Sequence, residues 1–356
     1  MKIRKLDFTN QTIYIGLDVH KKSWTITIMF QGMLLKTFTM NPEPKELLSH
    51  LHKNYPGAKY KSVYEAGFSG YWIDRILRSN GTENIIVNPG DVPTKNNEKR
   101  RKTDKIDSRK LARELQSGTL EGIYIPSEED ESLRVLNRLR MQLTKDQARL
   151  KNRIKSLLDF VGVKLPENHQ LKHWSRKFID YLLALNFKQE LTKLALEKLI
   201  SNLIQVRAEL SDIIKLQRKA VKKHDNIQKT IEHLQSIPGI GFITAITLYT
   251  EILDIGRFSK FDKLCSYVGL IPAVSSSGEK ERTLGISNQQ NTYLRNMLIE
   301  SSWVAVRKDS AMTMTFGNLT QRMSKQKAII RIAKKMLSRI KYVWQNQTDY
   351  TYAVIE

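Results

Sequence analysis

Ile13-Tyr14-Ile15-Gly16-Leu17-Asp18, followed closely by Ser23-Trp24-Thr25-Ile26-Thr27-Ile28-Met29-Phe30, decides how the N-terminal third folds. The first run is a short apolar strand ending in an acid. The second is β-branched and aromatic, and Gln31-Gly32 turns it into Leu34–Met40. Such side chains suit a pleated surface, and the turn between them makes an antiparallel meander. Beyond it the pattern alternates. The spacing predicts a helix from about Pro44 to Lys53, a strand at Lys61–Glu65, a helix from Gly70 to Arg78 and a strand at Asn84–Val87. A loop with Pro89, Gly90 and Pro93 then leads into a helix that Thr103 caps and that runs to Gln116. The order β-β-β-α-β-α-β-α describes an α/β domain over residues 1–120.

Residues 121–225 read as helical. Leu136, Leu143, Leu150 and Leu157 recur every seven residues, flanked by Leu133, Leu139, Ile154 and Val161. After an irregular stretch around Pro166, Leu196, Leu199, Leu203, Val206, Leu210 and Ile213 follow at three- and four-residue steps. Two such helices suggest an antiparallel coiled-coil arm; the core of an ordinary helical bundle gives the same pattern. Residues 226–356 form a third, mostly α, domain. It opens with Leu234-Gln235-Ser236-Ile237-Pro238-Gly239-Ile240-Gly241, a turn that resembles a helix-hairpin-helix. Gly239 and Gly241 would let backbone N–H groups approach a phosphate, or simply make a tight turn between packed helices.

Charge narrows the function classes. The 356 residues carry a formal net charge of +23. Residues 1–120 hold 21 basic and 12 acidic side chains, residues 121–225 hold 21 and 14, and residues 226–356 hold 17 and 10. The excess is spread over three folded segments, as tracking a polyphosphate requires, so nucleic acid is the expected partner. At 40% hydrophobic residues, wholesale disorder is excluded. The lone Cys265 excludes an internal disulfide framework and a Cys-cluster zinc site, and reads as a packed residue. No apolar run approaches the ~18 residues of a membrane span, and Met1–Asp7 lacks the apolar stretch of a signal peptide. A cytoplasmic protein is expected.

Four carboxylates stand out. Asp18 ends the first strand and Glu65 the fourth, so adjacent strands would project both from one sheet edge. Asp104 and Asp107 lie three apart, on one face of the next helix. Together they can converge on one or two Mg²⁺ ions and polarise a phosphodiester. Taken singly, each also reads as a turn acid, a cap, or a partner for Lys102, Lys105, Arg109 and Lys110. His20 lies near Asp18, either beside a metal or as a surface strand-end histidine.

Gly16-Leu17-Asp18-Val19-His20-Lys21, Tyr64-Glu65-Ala66-Gly67 and Lys102-Thr103-Asp104-Lys105-Ile106-Asp107-Ser108-Arg109-Lys110-Leu111-Ala112 resemble the blocks of one family. Ser236–Gly241 and Tyr267-Val268-Gly269-Leu270-Ile271-Pro272 with Ser276-Ser277-Gly278 follow in the same order. The resemblance is to the DEDD insertion-sequence transposases, which include bridge-RNA-guided recombinases and pilin-gene invertases. It implies an RNase H/RuvC-like N-terminal domain with Asp18, Glu65, Asp104 and Asp107 as metal ligands. It implies a nucleophilic serine in the C-terminal domain, which the block spacing assigns to Ser277, with Ser276 as the alternative. It also implies a homo-oligomer (dimer or tetramer) acting on target and donor DNA with an element-encoded guide RNA. One departure is Ser287-Asn288-Gln289-Gln290-Asn291, where the family usually has Lys-x-Gly-Asn; Arg295 is read as the substitute phosphate contact.

From Ser310 to Thr348 there are eight basic residues and no acid. Arg322, Lys325, Lys327, Arg331, Lys334, Lys335, Arg339 and Lys341 read as a nucleic-acid-contacting helix face, or as an ordinary solvated one. Glu251 and Asp254 close a helix and read as structural. Three functions compete: a serine-dependent DNA recombinase, a RuvC-like nuclease using metal-bound water, and a non-enzymatic nucleic-acid-binding protein. The complete acid set favours an enzyme over the last.

Overall fold

The meander forms as β1 (Thr12–Val19), β2 (Trp24–Phe30) and β3 (Met33–Met40), each antiparallel to the next. The computed structural model describes residues 8–94, 103–165, 174–277, 280–286 and 291–352, with the backbone alone over the strands at 272–286. The chain divides into two compact units, Met1–Ile125 and Pro126–Glu356. The segment Met1–Asp7 and the residues Ser287–Gln290 of the family departure lie outside the described residues.

In the first unit α1 (Pro44–Asn54), β4 (Lys59–Glu65), α2 (Trp72–Ser79), β5 (Glu83–Val87) and α3 (Asp104–Gln116) complete the predicted order. The sheet order is β3-β2-β1-β4-β5, with β4 parallel to β1 and β5 parallel to β4. Side chains alternate across it. Ile13, Ile15, Leu17, Trp24, Ile26, Ile28, Tyr60, Tyr64 and Ile86 form one buried layer with Leu47, Leu48 and Leu51 of α1 and Ile73 and Leu77 of α2. Each aliphatic side chain so buried contributes about 1.5–3 kcal/mol.

The opposite face receives α3. Val63, Val87 and Leu111 pack there, and the hydroxyls of Thr27 and Ser108 are hydrogen bonded at 2.8 Å. Gly16 sets how close the helix comes: a Cβ at that position would lie 2.0 Å from the Ser108 carbonyl oxygen and 2.5 Å from the Ala112 nitrogen. The Thr103 hydroxyl accepts from the Ile106 N–H, so the cap expected from the sequence fixes where α3 starts.

The second unit is helical apart from one hairpin. The long helices α4 (Glu128–Phe160) and α6 (Glu190–Val221) pack together, with α5 (Arg176–Leu183) against one end of the pair. Their buried stripe differs from the leucine heptad. Leu133, Asn137, Arg140, Leu150, Ile154 and Leu158 are buried on α4, whereas Leu136, Leu143 and Leu157 are half-buried and Leu139 is exposed. The reason is a third element at each end of the pair. Phe178, Ile179 and Leu182 of α5 widen the apolar face at one end. At the other, Asn137 donates to the hydroxyls of Thr247 and Thr250 and accepts from Gln217.

The rest of this unit comprises α7 (Asp225–Gln235), α8 (Phe242–Ile252), α9 (Phe261–Val268), β6 (Pro272–Ser277), β7 (Lys280–Ile286), α10 (Thr292–Lys308), α11 (Ser310–Thr320) and α12 (Lys325–Asn346). Ile329, Ile332, Met336, Leu337 and Ile340 of α12 join a core with Leu234, Ile246, Leu248, Leu264 and Leu298. The basic run expected on one helix is therefore divided, and Arg322 lies in the turn before α12. The serine run is a strand: β6 and β7 pair antiparallel with Ser275 opposite Arg282 and Ser277 opposite Lys280. Six residues containing three serines are too short and polar to show strand periodicity by themselves.

Substituting Gly16→Val tests the α3 seat. Its branched side chain must push the α3 backbone off the sheet, so a loss of about 3 kcal/mol in urea unfolding is expected. Hydrogen exchange should accelerate over 104–116 while that of α1 stays unchanged.

Candidate active site

The register of β1 on β4 puts Leu17 opposite Tyr64, so Asp18 and Glu65 follow side by side at the same end of the sheet. Both lie on the α3 side, in alternation with Gly16 and Val63. Asp104 and Asp107 occupy the first turn of α3, where the helix dipole favours negative charge. All four predicted acids line one open cavity of about 310 Å³, together with Leu17, Val19, His20 and the loop Ala66-Gly67-Phe68-Ser69. Strand adjacency and a capped helix start bring them together from three elements.

The charges are arranged in two pairs. His20 Nε2 stands 3.4 Å from Asp18 Oδ2 and 3.6 Å from Asp104 Oδ1. Lys110 Nζ stands 3.4 Å from Glu65 Oε1 and 3.4 Å from Asp107 Oδ1. Burial pushes the Asp18 carboxyl above the ordinary carboxylate range; His20 opposes this, and Asp104, Asp107 and Glu65 add to the rise. A carboxylate surrounded by others is a site that a cation relieves. Among the described residues, Asp18, His20 and Asp104 offer ligand atoms all within 4.8 Å of one another. Hard carboxylate oxygens beside one imidazole, in an open cavity, fit a divalent cation.

Two residues at this site escaped the sequence reading. Lys110 was visible only as one of several cations near the acids, because its contact with Glu65 spans separate elements. Phe68 is 62% exposed at the cavity rim, with Lys21 Nζ 5.7 Å from its ring centroid. Its one signal was an aromatic residue among small ones, Gly67-Phe68-Ser69-Gly70, directly after Glu65.

In the second unit, Ser277 is the last residue of β6, with Ser276 beside it opposite Glu281. The segments flanking this hairpin are tied together. The Asn291 N–H donates to the Tyr267 carbonyl, and the Asn291 side chain caps α10 by accepting from Tyr293 and Leu294 N–H groups. Its amide also donates to Glu251 Oε2 at 2.9 Å, while the Tyr267 hydroxyl donates to the Glu251 carbonyl. Arg138 forks onto Glu251 with two 2.8 Å bonds. Asn291, the residue retained within the departure from the family pattern, thus joins α8, α9 and α10.

The remaining candidates divide by what they touch. Gly239 has φ +89°, and a Cβ there would lie 2.4 Å from the Ser301 carbonyl oxygen, so its missing side chain seats the turn on α10. Gly241 begins α8 with open space around its Cβ position. Arg295 donates to the Gly269 carbonyl at 3.2 Å. On α12, Arg331 and Lys335 are exposed, Lys335 donates to the Thr315 hydroxyl, and Lys334 pairs with Asp262 at 3.4 Å. Arg339 and Lys341 depart from the expected nucleic-acid face: Arg339 pairs with the buried Asp309 at 2.7 Å, and Lys341 donates to the Phe258 carbonyl. Packing draws both cations inward. Burial pushes the Cys265 thiol up to about 11, which suits a packed residue.

The first unit is thus an α/β domain with an acid-ringed candidate cation site, and the second is a helical unit carrying a short hairpin. Residues 15–162 match the transposase family of the DEDD IS110 type, and residues 231–316 match the transposase IS116/IS110/IS902 family. The chain is 29% identical to the Sinorhizobium fredii protein y4qE over 69% of its own length and 59% of that protein. It is 28% identical to y4rJ of the same organism, over 93% of the chain and 91% of the relative; both carry a transposase name. The Coxiella burnetii transposase for insertion sequence element IS1111A is 26% identical over 77% of the chain and 74% of the relative. The chain belongs to the IS110/IS116/IS902 family of DEDD DNA transposases. No helix among the described residues is long and apolar enough to cross a membrane.

The Glu251 junction gives a stability test. Burial alone would raise this carboxyl, but the Arg138 fork and the Asn291 amide draw it below the ordinary range. A depressed folded pKa adds stability above the unfolded value, near ~4, and loses it as pH falls through the folded value. Glu251→Gln should cost about 2 kcal/mol near neutral pH, less than a fully buried pair because Arg138 keeps partial solvent access. The gap from wild type in urea unfolding should narrow below about pH 4; a gap independent of pH contradicts the assignment.

Proposed function

We propose that this chain cuts and rejoins DNA as the transposase of an insertion sequence, through an RNase H/RuvC-like domain and a serine nucleophile. The convergence of Asp18, Glu65, Asp104 and Asp107 on one cavity carries this reading. The sheet order β3-β2-β1-β4-β5 with α3 behind the acids supports the RuvC-like assignment. In this reading the acids hold one or two Mg²⁺ ions, which when bound would neutralise charge developing on the scissile phosphate. Exposed Phe68 offers an aromatic face to an unstacked base, and Lys21 beside it a phosphate contact.

Ser277, with Ser276 as the one-residue alternative, supplies the nucleophile. Its Oγ bonds to phosphorus, one phosphorus–oxygen bond of the strand breaks, and the displaced hydroxyl leaves with a proton. The phosphodiester is conserved as a serine–DNA link, so a second hydroxyl can attack it and rejoin strands without ATP. The sequence divides into a catalytic domain (1–120), an arm (121–225) and a serine domain (226–356). The proposed partners are target and donor DNA and an element-encoded guide RNA, bound by a homo-oligomer. Gly241, Arg331 and Lys335 are the favoured phosphate contacts, with the partly exposed Gly239, Arg295 and Lys334 sharing that role. A net charge of +23 is consistent with such partners, and the cytoplasm is the proposed compartment.

Asp18→Ala and Asp104→Ala should each abolish strand cleavage in Mg²⁺ while leaving nucleic-acid binding intact, because removing an acid takes away a ligand and no phosphate contact. Ser277→Ala should stop cleavage together with a protease-sensitive protein–DNA adduct on denaturing gels. Free DNA ends from an active Ser277→Ala protein would make the enzyme a hydrolytic nuclease instead. Binding should weaken about a thousandfold or more between ~50 and ~200 mM salt if roughly six phosphates are contacted. A salt-independent affinity contradicts the polyanion partner.

A further inference from the structure

The four acids are not held alike. Asp18 and Asp104 share the imidazole of His20, which is half exposed. Glu65 and Asp107 share a primary ammonium. Lys110 leaves α3 three residues after Asp107, so the helix itself aims both side chains at one spot. The Lys110 side chain is only 8% exposed, and its Nζ lies 3.4 Å from each carboxylate. A buried cation between two acids is costly to remove, because both acids would be left unpaired. A second metal ion bound by Glu65 and Asp107 would need the place this ammonium fills, since paired metals in such sites stand about 3.5–4 Å apart.

Resting on the metal-site reading above, we propose that Lys110 is a resident cation that replaces a second metal. The site then binds one divalent ion on the Asp18–Asp104 side, and Lys110 holds Glu65 and Asp107 in position on the other. Lys110 is a positioning residue, acting through these two carboxylates. Its fixed charge offsets one of the four carboxylate charges before any ion arrives, and a single divalent ion offsets two more. The motif alone does not reveal this role, because Lys110 and Glu65 are 45 positions apart.

The test is a Mn²⁺ titration of the full chain, read by electron paramagnetic resonance for both stoichiometry and spin coupling. Wild type should bind one Mn²⁺ per chain with an uncoupled spectrum, and Lys110→Arg should do the same. Lys110→Met should bind two and show a coupled pair. Two ions on wild type, or one ion on a folded Lys110→Met protein, overturns the proposal. Should Lys110→Met fail to fold, relative affinities decide: Asp18→Ala must weaken Mn²⁺ binding at least about tenfold more than Asp107→Asn, which removes a partner of the lysine. The opposite order overturns the division of the acids. Wild type that binds no Mn²⁺ overturns the metal-site reading itself, an outcome distinct from two ions, which overturns the division alone.

Discussion

The close approach of Gly16 to the α3 backbone governs the candidate site. With no Cβ at that position, the Ser108 carbonyl and the Ala112 nitrogen can lie against β1. Two residues further along the same strand face stands Asp18, and one turn earlier on the same helix stands Asp104. The spacing between these acids is therefore set by backbone against backbone, which has far less freedom than contact between long side chains. Thr103 fixes the helix start, and the Thr27–Ser108 hydrogen bond satisfies the polar groups that such close packing buries. The Thr27–Ser108 bond, which joins strand to helix, keeps α3 from sliding along the sheet.

A cluster of four carboxylates is electrostatically unfavourable alone, even in a chain with an excess of basic residues. Local cations matter more than net charge, because solvent screens distant ones. His20 and Lys110 are those local cations or potential cations, and they divide the cluster. Burial is the main cause of the raised Asp18 carboxyl, and the nearby Asp104, Asp107 and Glu65 charges add to the rise. The same strain that disfavours the unliganded site favours a divalent ion entering it.

In the second unit, a comparable economy operates around the hairpin. Asn291 caps one helix, meets the Tyr267 carbonyl and donates to Glu251, while Arg138 neutralises that same carboxylate. A short two-stranded hairpin is marginally stable in isolation. Fixing both of its flanking segments to buried helices limits the conformations open to the chain between them. Asn291 on one flank meets Tyr267 on the other, and it also reaches Glu251, 40 positions away in α8.

The amino-acid sequence by itself determined the local features: the strands around Ile13–Asp18 and Trp24–Phe30, the cap at Thr103, and the pairing of Asp104 with Asp107 on one helix face. Those follow from short-range periodicity and side-chain preference, which act within a few residues. It also made the four acids recognisable as a set. Only the tertiary structure decided that the buried stripe of α4 runs through Asn137 and Arg140 beside the leucine heptad, and that Arg339 turns inward to Asp309. Nor could the sequence reveal that Lys110 lies between Glu65 and Asp107. Each of these depends on which element packs against which, and burial there is shared between distant segments, so no local pattern records it.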